Sequence, residues 1–244
     1  MPKIILKQGF KPRVCNIPIP ARIATLMPAP IQPIPARIAT LMPAPIQPIP
    51  MIFHFIWLGP KPMPTKYTTT WITLHPKWKI MLWNDNNLPK MINQHLFEKS
   101  KYYSQKSDIL RYEILWNYGG VYLDVDFECT RNIESLLKGV ARFAAFQREK
   151  EINSAILGST PKDNWMLSII EKLPYFFKEK YRAETGPNLV TDRTINRRDV
   201  TVFQKELFYP YLWNEPEKAK GPFPNSYGVH HWSKLWSTRT PDIE

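Results

Sequence analysis

The sequence predicts an α/β domain, and three observations carry that reading. Short apolar runs alternate with longer segments of helical periodicity, Gly, Pro or Asn clusters punctuate them, and 244 residues are enough to bury one sizeable core without disulfides. In such folds ligands sit outside the carboxyl ends of the strands, so polar residues placed there are the first candidates for chemistry.

Residues 1–50 stand apart from that pattern. The fifteen residues from Ala21 to Pro35, ARIATLMPAPIQPIP, recur letter for letter from Ala36 to Pro50. Proline at every second or third position removes backbone donors and favours an extended chain, and two copies of so short a unit cannot stack into a core. The expected organisation is a proline-rich tail over 1–50 and one domain over 51–244, with Met51 opening the foldable part.

The elements of the domain follow in order. Met51 to Leu58, MIFHFIWL, is a continuous apolar run stopped by Gly59-Pro60, as expected of a buried strand. A helix is expected over Tyr67 to Leu74. Lys77 to Trp83 then alternates and gives way at Asn84-Asp85-Asn86-Asn87, a strand followed by a turn. Ser107 has the chemistry of an N-cap for a helix apolar over most of its circumference, with Gly119 as its left-handed stop. Val121 to Leu123 forms a short strand that delivers Asp124 to its carboxyl end. Further on, Asn132 to Leu137 reads as a short helix, Arg142 to Gln147 and Ile152 to Leu157 as strands, and Asp163 to Lys180 as a long amphipathic helix. Thr185-Gly186-Pro187 opens another helix, and Val200 to Phe203 and Tyr227 to His230 are the last strands.

Composition narrows the classes of function. The net charge is +12, and half of it lies in residues 1–50, which hold six basic side chains and no acid. The remaining 27 basic side chains face 21 acids, a balance suited to an anionic ligand or to peripheral contact with an anionic membrane face. No apolar run approaches the roughly 20 residues needed to span a bilayer, and Cys15 and Cys129 have no metal or redox spacing. A cytoplasmic protein, peripheral at most, is the expectation.

The chemistry is concentrated in Asp124-Val125-Asp126. On a strand these two carboxylates project together, and at that spacing each drives its neighbour towards protonation unless a cation intervenes. Hard oxygen ligands suit Mg²⁺ or Mn²⁺, whose shells are commonly completed by water and substrate phosphates. An isolated pair of this kind is more often two surface acids. Asp108 and Arg111 alter the balance, because they stand three apart on a helix that must pack beside the strand. An exposed pair would be worth only about 0.2–0.5 kcal/mol, but on a buried helix both groups need partners, and sugar hydroxyls could supply them.

The segment SDILRYEILWNYGGVYLDVDFE, with HFIWLGPKPMP at 54–64, HPKWKIMLWND at 75–85, TGP at 185–187 and HHWSKLW at 230–236, resembles the DXD-containing sugar-transferase family, glycosyltransferase family 32. That family includes fungal α-mannosyltransferases, bacterial capsular and lipopolysaccharide glycosyltransferases of polysaccharide biosynthesis and, more distantly, the large clostridial glucosylating toxins. The resemblance implies a single-domain GT-A fold, a Rossmann-like mixed sheet with flanking helices, and retaining transfer of a hexose from a UDP- or GDP-linked sugar to a glycan or glycolipid acceptor. It implies that Trp57 stacks on the nucleotide base, that Asp108 and Arg111 hold the donor sugar, that Tyr122 and Asp124 contact the sugar-nucleotide, and that Asp126 binds the metal. A late His or Asn completes the metal shell in related enzymes. Here His230 and His231 are adjacent and on a strand point to opposite faces, so one of them serves, and an imidazole ligand favours Mn²⁺ over Mg²⁺. Trp232 and Trp236 are read as core aromatics.

Two other classes compete. A haloacid-dehalogenase-like phosphotransferase also carries D-x-D at a strand end, but Glu128 stands where Thr or Val is required and no Gly-Asp-x-x-x-Asp follows. A non-catalytic basic module for glycan or nucleic acid would use the same cationic, aromatic composition, yet no nucleic-acid motif is present, and nucleic acid is not an expected partner.

Overall fold

The computed structural model describes residues 47–178 and 184–233. The repeats up to Ile46, the end of the segment expected as a helix to Lys180, and Trp236 lie outside the described residues.

β1 (Ile52–Ile56) is followed by α1 (Thr68–Leu74) and β2 (Lys79–Trp83), then α2 (Gln94–Lys99), α3 (Tyr103–Tyr118) and β3 (Gly120–Leu123). Next come β4 (Phe127–Cys129), β5 (Arg142–Arg148), β6 (Glu151–Ser159), α4 (Asn164–Phe176), α5 (Leu189–Thr194), β7 (Thr201–Phe203) and β8 (Gly228–His230). Six strands form one mixed sheet in the order β2-β1-β3-β6-β5-β7, while β4 and β8 pair as a separate antiparallel ribbon. β1 runs parallel to both β2 and β3, and β6 is antiparallel to β3 and β5, so the carboxyl ends of β1, β2 and β3 open on one edge.

The apolar run of β1 is continuous because both of its faces are covered. Phe53, Phe55 and Trp57 enter one core with Trp71 of α1, Phe127 and Phe208, whereas Ile56 and Leu58 enter another with residues of α2, α3 and α4. Helix α3 is sealed between β3 and α4, and nearly every residue from Ser107 to Leu115 is buried. Burial on all sides, not amphipathicity, explains why the apolar residues between Ile109 and Leu115 are not confined to one face.

Several local expectations are corrected. Helix α3 begins one turn before Ser107, at Tyr103 with Tyr102 as an N-cap that lends no side-chain bond, so Ser107 is a buried interior residue. Gly119 ends the helix at positive φ (63°), but its ψ of −161° is extended, not left-handed helical. A side chain there is excluded on steric grounds as well, because a Cβ would sit 2.7 Å from Pro161. Asn132 to Leu137 is a succession of turns without a helix. Helix α4 has Asp163 as its N-cap, accepting from the Trp165 N–H, and it stops at Phe176. Residues just before Met51 also contribute to the fold: Ile49 is buried in the Trp71 core, and the Pro50 carbonyl accepts from the Ile52 N–H.

Candidate active site

The two aspartates converge for a reason other than strand alternation. β3 ends at Leu123, and Asp124 to Asp126 form a tight turn in which the Phe127 N–H donates to the Asp124 carbonyl at 3.0 Å. The Asp124 N–H is tied to the Ala155 carbonyl of β6 at 2.9 Å, which fixes where the turn starts. The chain then leaves as β4, whose register sets Phe127 opposite His230 of β8, and the His231 N–H donates to the Asp126 carbonyl. Ribbon pairing therefore brings a residue 104 positions from Asp126 to its carboxylate.

Asp124, Asp126 and His230 each offer one ligand atom, and these three atoms lie within 4.8 Å of one another. His230 Nε2 is 3.1 Å from Asp126 Oδ1 and 3.8 Å from Asp124 Oδ2. The remaining oxygen of each carboxylate is held by donors of the chain. Asp124 Oδ1 accepts from the Tyr122 hydroxyl at 2.5 Å and faces Arg111 at 3.5 Å. Asp126 Oδ2 accepts from the Ser233 N–H at 2.8 Å and the Ser233 hydroxyl at 2.7 Å. Held in this way, the two carboxylates turn their other oxygens towards the His230 imidazole nitrogen. Two oxygens and one nitrogen fit a divalent ion of the Mn²⁺ type better than one that prefers oxygen alone.

Arg111 lies behind this cluster. It is ion-paired to Asp108 at 3.1 Å, donates through Nη1 to the Ser154 carbonyl (2.7 Å) and hydroxyl (3.0 Å), donates through Nε to the Ser107 carbonyl (3.2 Å), and covers the Tyr122 ring at 4.4 Å. Asp108 spends its other oxygen on the Thr185 hydroxyl at 3.0 Å, while the Thr185 carbonyl accepts from Tyr112. The Thr185-Gly186 loop presses on the carboxylate so closely that a Cβ at Gly186 would stand 3.0 Å from it. Asp108, Arg111 and Tyr122, expected to touch the donor directly, are thus buried and turned to one another, where they orient Asp124.

The electrostatics follow from burial and neighbours. Burial pushes the Asp108 carboxyl up to about 6, against the opposing pull of Arg111 and Thr185. Burial also acts to raise Asp126, but His230 and the two Ser233 donors outweigh it and hold that carboxyl well below the usual range. For His230 burial favours the neutral ring, and the Asp126 charge overrides it and raises the pKa.

His231, the alternative metal ligand, faces away from the cluster: its Nε2 meets Glu128 at 2.7 Å, and its ring stacks on Tyr67 at 4.1 Å. Trp57 is likewise not exposed in a cleft. It is 5% accessible, packed in the core with Phe53 and Phe55, and donates from Nε1 to the Lys61 carbonyl. Trp232 lies against the His230 ring at 4.2 Å and donates to the Tyr211 carbonyl. The sequence reading missed Ser154, Ser233 and Tyr209. Ser154 and Tyr209 carry no motif, and Ser233 lies inside HHWSKLW without chemistry that distinguishes it from a loop serine.

Residues 64–143, which contain Asp108, Arg111, Asp124 and Asp126, match the family described as "Glycosyltransferase sugar-binding region containing DXD motif". Among curated proteins, the chain is 30% identical over 132 residues to "Mannosyl phosphorylinositol ceramide synthase CSH1" of Saccharomyces cerevisiae, covering 49% of this chain and 35% of that protein. It is 33% identical over 116 residues to "Mannosyl phosphorylinositol ceramide synthase SUR1" of the same yeast, covering 44% and 29%. It is 27% identical over 150 residues to "Lactosylceramide 4-alpha-galactosyltransferase" of Rattus norvegicus, covering 52% and 40%. The matched segments span about a third of the two yeast relatives. Among solved structures, "PaToxG Glycosyltransferase" aligns with a TM-score of 0.49 at 18% identity, over 60% of this chain and 69% of that one.

Proposed function

We propose, from the premise that residues 64–143 are the DXD-containing sugar-binding region of a glycosyltransferase, that the chain moves a hexose from a nucleotide-diphosphate sugar to a glycolipid or glycan acceptor. The observation that carries this reading is the convergence of Asp124 Oδ2, Asp126 Oδ1 and His230 Nε2 just beyond the carboxyl end of β3. Asp126, Asp124 and His230 would hold a divalent cation, Mn²⁺ by preference over Mg²⁺, which when bound would supply positive charge to stabilise a diphosphate leaving group.

The residues of the chain do the rest. Tyr122 and Arg111 fix Asp124 so that only one of its oxygens is available, and Ser233 does the same for Asp126. Arg111 adds positive potential behind Asp124, and Asp108 and Thr185 prevent it from moving. Transfer with retention of anomeric configuration needs no enzymic nucleophile when the acceptor attacks on the leaving-group side, and no side chain is assigned as general base. GT-A is the fold type that goes with this reading.

The relatives named for phosphorylinositol ceramide and lactosylceramide point to a sphingolipid-type acceptor. A lipid-borne acceptor suits the basic balance of residues 51–244 and contact with a membrane face. No helix among the described residues is long and apolar enough to cross a membrane. The test is a panel of UDP- and GDP-sugars incubated with Mn²⁺, read as free nucleotide and, with a ceramide-linked acceptor, as glycosylated lipid. Release from one nucleotide sugar that stops on chelation is expected, and inertness towards the whole panel would overturn the reading.

A further inference from the structure

Tyr209 lies between β7 and β8 in sequence, where no motif draws attention to it. The structure puts its ring against the metal-ligand cluster: edge-on to Phe127 at 5.6 Å and to His230 at 5.8 Å, and tilted on Trp232 at 6.0 Å. The side chain is 1% accessible, and its hydroxyl has no hydrogen-bond partner among the described residues. The Ile156 backbone faces the hydroxyl without closing a bond of good geometry, and the charges that act on it are those of Asp124, Arg111 and Asp126. Burial, with Asp124 next in weight, pushes its pKa well up.

A buried hydroxyl without a partner is a liability that phenylalanine at the same position would remove, because the ring contacts need no oxygen. Most acceptors of the neighbouring cluster already have donors, Asp124 Oδ2 being the exception. Tyr122 already satisfies Asp124 Oδ1, and His230 and Ser233 satisfy Asp126. The unspent donor is buried among the rings and charges that surround the three ligand atoms.

We propose that Tyr209 is a further binding residue of the candidate site, its hydroxyl donating to an oxygen atom of the bound ligand. That oxygen is either a water on the divalent cation or a phosphate oxygen of a nucleoside diphosphate. The inference rests on the glycosyltransferase reading above and extends it to a residue outside the DXD segment. Tyr209 shares the ring packing of a core aromatic but not its energetics, and this difference can be measured.

The experiment compares wild type, Tyr209→Phe and Asp126→Ala in thermal melts and in calorimetric titrations with Mn²⁺ alone and with Mn²⁺ plus UDP or GDP. Tyr209→Phe is expected to melt at or above the wild-type temperature and to bind about tenfold more weakly or worse, the usual effect of losing a hydrogen bond to a charged group. Weakening with Mn²⁺ alone identifies metal-bound water as the acceptor, and weakening only with nucleotide identifies a phosphate oxygen. Wild-type affinity in both titrations, or a melting temperature below wild type, overturns the proposal. If Asp126→Ala loses binding and Tyr209→Phe does not, Tyr209 alone is misassigned. If Asp126→Ala also binds as wild type, the site reading fails and takes this inference with it.

Discussion

Replacing Arg111 by methionine keeps much of the side chain's length and removes its charge, which makes it the most informative single change in the cluster. The guanidinium is 3% accessible, pairs with Asp108 at 3.1 Å and Asp124 at 3.5 Å, and donates to Ser154 and Ser107. Breaking a buried pair by removing one partner costs about 3–5 kcal/mol, because the other charge is left uncompensated. Here the uncompensated group is Asp108, whose carboxyl is already raised to about 6 by burial and rises further without Arg111. An acid raised above its unfolded value binds its proton more tightly in the folded state. Its contribution to stability is therefore present in full below the unfolded pKa near 4 and is lost as pH rises through the folded pKa. With the folded pKa raised further, lowering the pH from 7 to 5 recovers more stability in the variant than in wild type. Urea unfolding at pH 7 and pH 5 is the assay. A loss of about 3–5 kcal/mol at pH 7 that is smaller at pH 5 is expected. A loss below about 1 kcal/mol, or one equal at both pH values, would refute the reasoning.

Three further outcomes follow from the same structure. His54 is fully buried, bonded through Nε2 to the Gly119 carbonyl and through Nδ1 to the Trp83 indole, and burial pulls its pKa down to about 4. Its contribution is present above pH 6.5 and lost as pH falls towards 4, about 3 kcal/mol in all, opposite in sign to that of Asp108. The acid limb of Asp108→Asn in a pH series of unfolding measurements should accordingly be steeper than that of wild type. A chain beginning at Met51 loses the burial of Ile49, and should be about 1.5–3 kcal/mol less stable in urea than one beginning at Gln47. Because His230 is raised by Asp126 and must be neutral to ligate, Mn²⁺ affinity should fall as pH drops below its pKa, with proton uptake or release detectable by calorimetry in buffers of different ionisation heat.

How much of this was legible in the sequence depends on how local the determining physics is. β1 could be read because a strand buried on both faces is apolar at nearly every position, and Phe53, Phe55 and Ile56 satisfy that condition around one buried, hydrogen-bonded His54. Asp124 and Asp126 were recognisable as a pair by spacing and company, but the cause of their convergence is a turn that the spacing does not distinguish from a strand. The opposed faces of His230 and His231 followed from strand alternation, whereas which of them meets the aspartates depends on the β4–β8 register, a pairing across about a hundred residues. Ser107 misled because its capping chemistry is real but unused: tertiary burial extends the helix past it, and its hydroxyl turns to Tyr122 and Arg111. Ser154 and Thr185 serve Arg111 and Asp108 from distant parts of the chain, and no local pattern announces such partners. Trp57 lies near the end of an apolar run, two residues before Gly59, a context that fits a cleft wall and a core residue equally well.

The proposed role of Asp124, Asp126 and His230 is to hold a cation on which use of a nucleotide sugar would depend. Its most direct test is Mn²⁺-dependent release of nucleotide from UDP- and GDP-sugars by wild type and Asp126→Ala, with both proteins shown to be folded by their melts. Release by wild type that Asp126→Ala lacks at every Mn²⁺ concentration is the expected result. Equal release by the two proteins would contradict it.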